Sequence, residues 1–194
     1  MMEYLPFPDK RYKIIYADPP WSYDDKMNAG KRGADFKYPT LALDDIMSMP
    51  VAGMAEQNCT LFMWITFPFM DQAIRVMNAW GFKYKTAAFV WVKTYPKKGS
   101  ICMGCGSWTR ANAELCLLGV RGKPKRIGKG VSQIIMSPRR EHSRKPDEAR
   151  ERIVTLMGDL SRIELFARQA VPGWDGWGLE YPEGGEDYAT HDTD

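Results

Sequence analysis

The sequence predicts a single α/β domain in which one sheet lies between two layers of helices. Three observations predict it. Short β-branched and aromatic runs alternate with amphipathic stretches along the chain. The first run, Tyr12–Ala17, stops at Asp18-Pro19-Pro20-Trp21, as a strand does when it hands a loop to one edge of a sheet. A chain of 194 residues with 44% hydrophobic content can bury one core of that kind and is short for two.

The elements follow in order. Tyr12–Ala17 has the content of a buried strand. Residues 22–38 carry glycines and mixed charge (Lys26, Lys31, Arg32) and read as a loop too long to be a mere connector. Thr40 is placed to cap a short helix over residues 41–49, with Asp44 and Asp45 in its early turns. Residues 59–66 form a second strand. Pro68 opens an amphipathic helix that runs through Trp80 and stops at Gly81. Residues 82–93, 114–120 and 133–136 read as three further strands. Pro146 begins a helix with Ile153, Leu156 and Met157 on its inner face, and Gly158 ends it. Residues 162–167 are a final buried strand. Ligands of such sheets lie beyond the carboxyl ends of the strands, where Asp18 and Arg168 fall. The domain is expected over residues 1–180, and the acidic, small-polar stretch 181–194 is expected to be disordered.

Composition narrows the function classes. No apolar run approaches a membrane span and residues 1–10 show no signal-peptide pattern, so a cytoplasmic protein is expected. The formal charge of +3 is too mild to identify an anionic partner without local clustering. Cys59, Cys102, Cys105 and Cys116 fit a reducing compartment. Cys102-Met103-Gly104-Cys105 is a lone C-x-x-C that Cys116 and His142 would have to complete as a zinc site. The spacing lacks a second knuckle, so no metal is expected and free thiols in a mobile loop are the reading taken.

The turn after the first strand carries the chemistry. Pro19 and Pro20 have fixed φ and no N–H, so the turn is stiff, and the carbonyls of Asp18 and Pro19 are expected to stand free as acceptors. With the Asp18 carboxylate at its mouth and Trp21 as a stacking wall, the slot suits a planar ring bearing an exocyclic amine. Two acceptors on such an amine favour a more tetrahedral nitrogen whose lone pair can meet an electrophile. The alternative is a proline-terminated strand beside a core tryptophan.

A glycine-rich phosphate loop is missing: Gly104-Cys105-Gly106 and Gly128-Lys129-Gly130 neither follow a buried strand nor open a helix. Residues 161–180 instead offer Arg168 at a strand end, the Trp177-Gly178 turn and Glu180. These can hold ribose hydroxyls and a carboxylate tail without a pyrophosphate loop, although aromatic turns at a sheet end also occur as packing.

A series of motifs then occurs in a fixed order: Asp18-Pro19-Pro20-Trp21, Tyr38-Pro39-Thr40, Leu61-Phe62-Met63-Trp64-Ile65-Thr66, Trp80-Gly81-Phe82, Val90-Trp91-Val92-Lys93-Thr94, Glu114-Leu115-Cys116-Leu117-Leu118-Gly119, His142-Ser143-Arg144-Lys145-Pro146-Asp147-Glu148 and Ile163-Glu164-Leu165-Phe166-Ala167-Arg168. Together they resemble the DPPW-type adenine-N6 methyltransferases, the family of the catalytic subunit of the eukaryotic mRNA adenosine methylase and of many phage and bacterial enzymes. The likeness covers residues 11–180. It implies a Rossmann-like fold, S-adenosylmethionine as methyl donor, and a catalytic motif that precedes the cofactor-binding strand.

Residue by residue, the resemblance assigns Asp18 and Pro19 to the target amine, with Pro20 and Trp21 completing the catalytic turn. It sets Trp21, Tyr38, Trp91 and Glu114 around the target base, and Lys145 on the cofactor's carboxylate. Asp18 lies near the cofactor's methionine end, and Arg168, Gly178, Leu179 and Glu180 lie along its ribose. Relatives often carry asparagine where Leu179 stands, which puts a side-chain contact there in doubt. Methyl transfer would be direct displacement, driven by positioning and electrostatics.

Lys93, Lys97, Lys98, Arg110, Arg121, Lys123, Lys125, Arg126 and Lys129 are expected to cluster on loops after strands, with Arg139, Arg140 and Arg144 as a second patch near Lys145. Together they read as a phosphate-tracking surface, against the alternative of solvated loop charge. The acid-first motif favours adenine over cytosine. DNA is the expected polymer, since the compact chain shows no zinc finger or accessory arm of the large RNA-modifying complexes. RNA methylation and a catalytically silent nucleic-acid-binding subunit are the alternatives, and a homodimer is an expectation drawn from relatives. Residues 22–38 and 97–110 are the expected base-reading loops.

Overall fold

The computed structural model describes residues 6–22, 40–104, 106, 108–140 and 144–182. Seven strands form one sheet: β1 (Tyr12–Ala17), β2 (Ala55–Ile65), β3 (Lys83–Thr94), β4 (Ala113–Arg121), β5 (Ile134–Pro138), β6 (Arg162–Leu165) and β7 (Asp175–Trp177). Their spatial order is β5-β3-β4-β2-β1-β6-β7. Helices α1 (Leu43–Ser48), α2 (Val51–Met54), α3 (Met70–Ala79) and α4 (Glu148–Met157) cover it, so the predicted α/β class is what the chain adopts.

Every pairing is parallel except those of β4, which runs antiparallel to both β2 and β3. The start of β4 therefore lies at the edge where its neighbours end: Leu115 pairs with Ile65 and Glu114 with Trp91. β1 has β2 on one side and β6 on the other, although β2 follows it in sequence and β6 comes far later. A crevice beside the end of β1 is the consequence.

Strand periodicity sorts the core into two layers. Ile15, Ala17, Leu61, Met63 and Ile65 point to one face and pack with Ile46, Ala73, Val76, Met77 and Trp80 of the α1–α3 layer. The intervening Ile14, Tyr16, Phe62 and Trp64 point to the other face and pack with Ala149, Ile153 and Met157 of α4. Burial on both faces explains why β1 and the second half of β2 are almost continuously apolar. Each fully buried large side chain contributes about 1.5–3 kcal/mol.

Helix boundaries depart from expectation where local backbone bonds decide them. Thr40 does not cap α1: Ala42 is its N-cap residue, without a side-chain bond. The Leu41 N–H is already given to the Pro20 carbonyl at 3.0 Å, and Leu41 bridges to Trp21, which keeps it extended. The Pro68 helix opens as a 3-10 turn over Phe67–Phe69 before α3 begins. Pro146 makes a turn, its carbonyl accepting the Ala149 N–H at 3.1 Å, and α4 proper starts at Glu148. β6 stops at Leu165, two residues short of expectation, because Phe166 turns to φ 63°. α2 and β7, four and three residues long, carry no period long enough to read.

Most of the 22–38 loop and the 183–194 stretch lie outside the described residues, so the expectations placed there are not taken further. Among the described residues no helix is long and apolar enough to cross a membrane.

Candidate active site at the carboxyl edge of the sheet

Asp18 follows β1 directly, and its side chain is 32% exposed at the crevice. Lys145, from the segment before α4, places Nζ 2.6 Å from the Asp18 Oδ2 and 3.4 Å from the Glu114 Oε2. Glu114 reaches this point only because β4 is antiparallel, and its other oxygen accepts from Lys93 of β3. Four charges thus alternate across the ends of three strands and one loop: Asp18, Lys145, Glu114, Lys93. The two lysines lie over indoles, Lys93 5.1 Å from the Trp91 ring centroid and Lys145 5.9 Å from that of Trp64.

Burial and charge act unequally on these groups. Burial pushes the Asp18 carboxyl up, and Lys145 works against it without cancelling it. Burial would also raise Glu114, but Lys145 and Lys93 together outweigh it and hold that carboxyl below the usual range. Burial disfavours the Lys145 ammonium, yet Asp18 and Glu114 hold its pKa above the ordinary lysine value. Lys145 and Glu114 are therefore charged at neutral pH, while burial makes Asp18 the more basic of the two carboxylates.

Two expectations for the turn are corrected. The Pro19 carbonyl does not stand free: it accepts the Trp21 N–H at 2.9 Å, closing a three-residue turn around Pro20, and one lone pair remains for another donor. Nor is Trp21 an open stacking wall. It is 8% exposed, stacked on Phe69 at 5.7 Å between centroids, and its indole N–H donates to the Trp64 carbonyl at 3.1 Å. Trp21 anchors the turn to β2, which fixes Asp18 against the sheet. The core-tryptophan reading is the one the packing bears out.

A second network, buried except at Asp147, backs the first. The Trp64 indole donates to the Tyr16 hydroxyl at 2.6 Å. Arg150 of α4 lies over the Tyr16 ring, forks onto both oxygens of Glu164 at 2.7 and 2.8 Å, and donates to Asp147 at 2.8 Å. Asp147 also takes Arg140 and Arg144, which pins the Lys145 segment at its exit. Sequence reading missed Arg150, Tyr16 and Glu164 as site supports. A glutamate inside the apolar run of residues 163–167 was the available signal for Glu164, and Arg150, among the charged residues Glu148, Glu151 and Arg152, gave none.

Across the crevice, Arg168 lies past the Phe166 turn and pairs with Glu180 at 3.7 Å. Gly178 is required by close packing: a Cβ there would stand 2.4 Å from the Ala167 carbonyl oxygen, in the turn that returns β7 beside β6. Leu179, which follows Gly178 in the chain, is half-buried. Trp91 is buried, its N–H donating to the Ser137 carbonyl at 3.0 Å. Arg110 is exposed in the β3–β4 loop, and Tyr38 lies outside the described residues.

The loop cations expected to cluster together, from Lys93 to Lys129, are divided between two edges of the sheet. Lys93, Lys97, Lys98, Arg110, Arg139, Arg140 and Arg144 stand at the Asp18 edge. Arg121 ends β4, where it pairs with Cys59 and donates to the Ala52 carbonyl, at the opposite edge of the sheet. Lys123 follows it, its N–H bonded to the Asn58 side chain, and the Ile127 N–H bonds to Leu156 near the end of α4. The nine residues of β4 separate the two groups by about 30 Å. Cys102 is likewise no loose loop thiol: it is buried, and its N–H donates to the Lys93 carbonyl at 2.7 Å. Cys105 and His142 lie outside the described residues, among which no group of His, Cys, Asp or Glu is arranged to hold a metal ion.

The MT-A70 family model matches residues 12–180. The chain is 38% identical to the Type II methyltransferase M.MunI of Mycoplasma sp, over 91% of this chain and 80% of that one. It is 30% identical to the N(6)-adenosine-methyltransferase MT-A70-like of Arabidopsis thaliana, over 84% of this chain and 23% of the relative. With the N(6)-adenosine-methyltransferase catalytic subunit METTL3 of Homo sapiens it shares 29% identity, over 84% of this chain and 27% of the other. The chain thus spans about a quarter of the length of these two eukaryotic relatives.

Proposed function

The chain belongs to the MT-A70 family, and from that membership we propose that it transfers a methyl group from S-adenosylmethionine to the N6 amine of adenine in DNA. It is an adenine-N6 methyltransferase of nucleic acid. The observation that carries the site assignment is the pairing of Asp18 with Lys145 at 2.6 Å beside the crevice where β1 and β6 part.

The residues present fit the cofactor. Its carboxylate calls for a cation, which Lys145 supplies, and its ribose hydroxyls call for the charged pair Arg168 and Glu180, beside Gly178 and Leu179. When bound, S-adenosylmethionine supplies an electrophilic methyl group on a sulfonium centre. Lys145, already on Asp18, would hold that carboxylate with the same ammonium, which would keep the amine acceptor and the cofactor in one frame.

Asp18 accepts one N–H of the target amine, and the remaining lone pair of the Pro19 carbonyl accepts the other. With both hydrogens held by Asp18 and the Pro19 carbonyl, the nitrogen lone pair would be left free to meet an electrophile. As the N–C bond forms and the C–S bond to the methyl breaks, the neutral thioether leaving, Asp18 would stabilise the positive charge that develops on the amine in a site that needs no rearrangement. The methylated amine is strongly acidic and loses its proton to Asp18 or to water. Trp21 holds the turn rigid, and Glu114 keeps Lys145 charged throughout. A duplex target must leave the stack to reach the slot, at a cost of a few kcal/mol.

The similarity to a type II methyltransferase over most of both chains favours DNA, and the edge cations Lys93, Lys97, Lys98 and Arg110 suit its phosphates. Self-association as a homodimer belongs to the same proposal, and sedimentation of the free protein tests it. The assay is incubation with labelled S-adenosylmethionine and single-stranded DNA, duplex DNA or RNA, followed by digestion to nucleosides. Labelled N6-methyldeoxyadenosine is expected. Label in RNA alone assigns the alternative polymer, and cofactor binding without label in any polymer refutes the enzyme reading. Asp18→Ala should abolish transfer and leave oligonucleotide binding nearly intact; retained transfer overturns its role.

A further inference from the structure

The loop between β3 and β4, residues 95–112, leaves the sheet at the Asp18 edge. Its base is tied to the site: the Lys93 N–H donates to the Asn112 carbonyl at 2.9 Å, and the Lys93 carbonyl accepts from Cys102. A bridge from Thr94 to Ile101 and a bond from the Tyr95 N–H to the Ser100 carbonyl extend this stem. Farther out the chain folds closely on itself, since a Cβ on Gly104 would lie 1.9 Å from the Ala111 carbonyl oxygen.

At that outer end Trp108 is 99% exposed, whereas the other six tryptophans are each 8% exposed or less. Met103 and Ile101, on the same loop, are exposed as well. Packing within the domain gives no reason to hold an indole fully in water, where it forgoes the gain of burial. Charge says what covers it: residues 94–113 hold Lys97, Lys98 and Arg110 and no aspartate or glutamate. The same loop of a second copy, equally cationic, would meet it with like charge. A polyanion with flat apolar rings along it matches both properties.

Resting on the nucleic-acid reading above, we propose that Trp108 stacks on bases of the bound strand beside the target adenine, while Lys97, Lys98 and Arg110 take the neighbouring phosphates. The exposed indole is then a positioning residue: it fills the stack that the target base vacates and favours the extruded base at Asp18. The tied stem transmits this, because the loop's first bond runs through Lys93, the partner of Glu114.

The test is steady-state methyl transfer to sheared, unmethylated genomic DNA by wild type, Trp108→Ala and Trp108→Phe, with sedimentation of each protein in the absence of DNA. Loss of one stacking contact lowers kcat/KM by about 5- to 150-fold in Trp108→Ala. Trp108→Phe, which keeps a ring, should stay within about threefold of wild type, and cofactor affinity should be unchanged in both. Unchanged kcat/KM in Trp108→Ala, equal losses in both variants, or conversion of a wild-type dimer to monomer overturns the proposal. Wild-type protein that binds cofactor but methylates no nucleic acid removes the underlying reading first, and this inference with it.

Discussion

Lys145 bridges Asp18 and Glu114, its Nζ 2.6 Å from one carboxylate and 3.4 Å from the other. One ammonium thereby keeps two acids from repelling each other across the crevice. Lys145→Met, which preserves the stem and removes the charge, leaves both carboxylates without that cation. Cofactor affinity, read by titration calorimetry, should fall by about 10- to 100-fold. Unchanged affinity would show that the lysine serves only the acids.

The pH response separates the two acids by sign. Glu114 has a folded-state pKa below its ordinary 4.5, so it stabilises the fold above that pH, and the contribution disappears as pH falls through the folded value. Asp18 is raised, so its ionisation costs the fold stability as pH rises from 3.8 towards its folded value. Thermal melting of wild type against Glu114→Gln should show a wild-type advantage at pH 6 that narrows below 4.5. An advantage that widens on acidification would reverse the assignment. For transfer, which needs the Asp18 carboxylate, the acid limb of the rate profile should lie above 3.8.

Arg150 and Glu164 form a buried fork beneath the site, each largely out of water. Removing one partner leaves an uncompensated charge, and Arg150→Met should cost about 3–5 kcal/mol in urea unfolding. Arg150→Met with Glu164→Leu should recover much of that loss. A double variant as unstable as the single would mean that the Asp147 and Tyr16 contacts of Arg150 carry the stabilisation instead.

Because the cations occupy two edges, salt dependence distinguishes them. Lys97→Gln with Lys98→Gln should reduce the slope of log affinity against log salt by about one to two, whereas Lys123→Gln with Lys125→Gln should leave it unchanged for oligonucleotides too short to span about 30 Å. Filter binding over a salt series measures both. Equal effects would place the polymer along the whole face of the sheet.

The order of the longer strands and helices and the Asp18 turn were legible because each rests on a local rule. β1 ends where two prolines stop it, and the inner face of α4 shows in its spacing. The resemblance of ordered motifs added the chemistry. Neighbouring residues alone do not reveal where β4 points. Its reversal brings Glu114 to Lys145 and carries Arg121 to the far edge, dividing the loop cations expected to cluster together. The role of Trp21 was likewise decided by Phe69 and the Trp64 carbonyl, partners more than forty residues away. Thus the residue types and their periodicity determined the fold class and the Asp18 turn, and the resemblance pointed to Lys145 and Glu114. Tertiary pairing decided which charges meet, because strand direction and burial depend on contacts that adjacent residues do not encode.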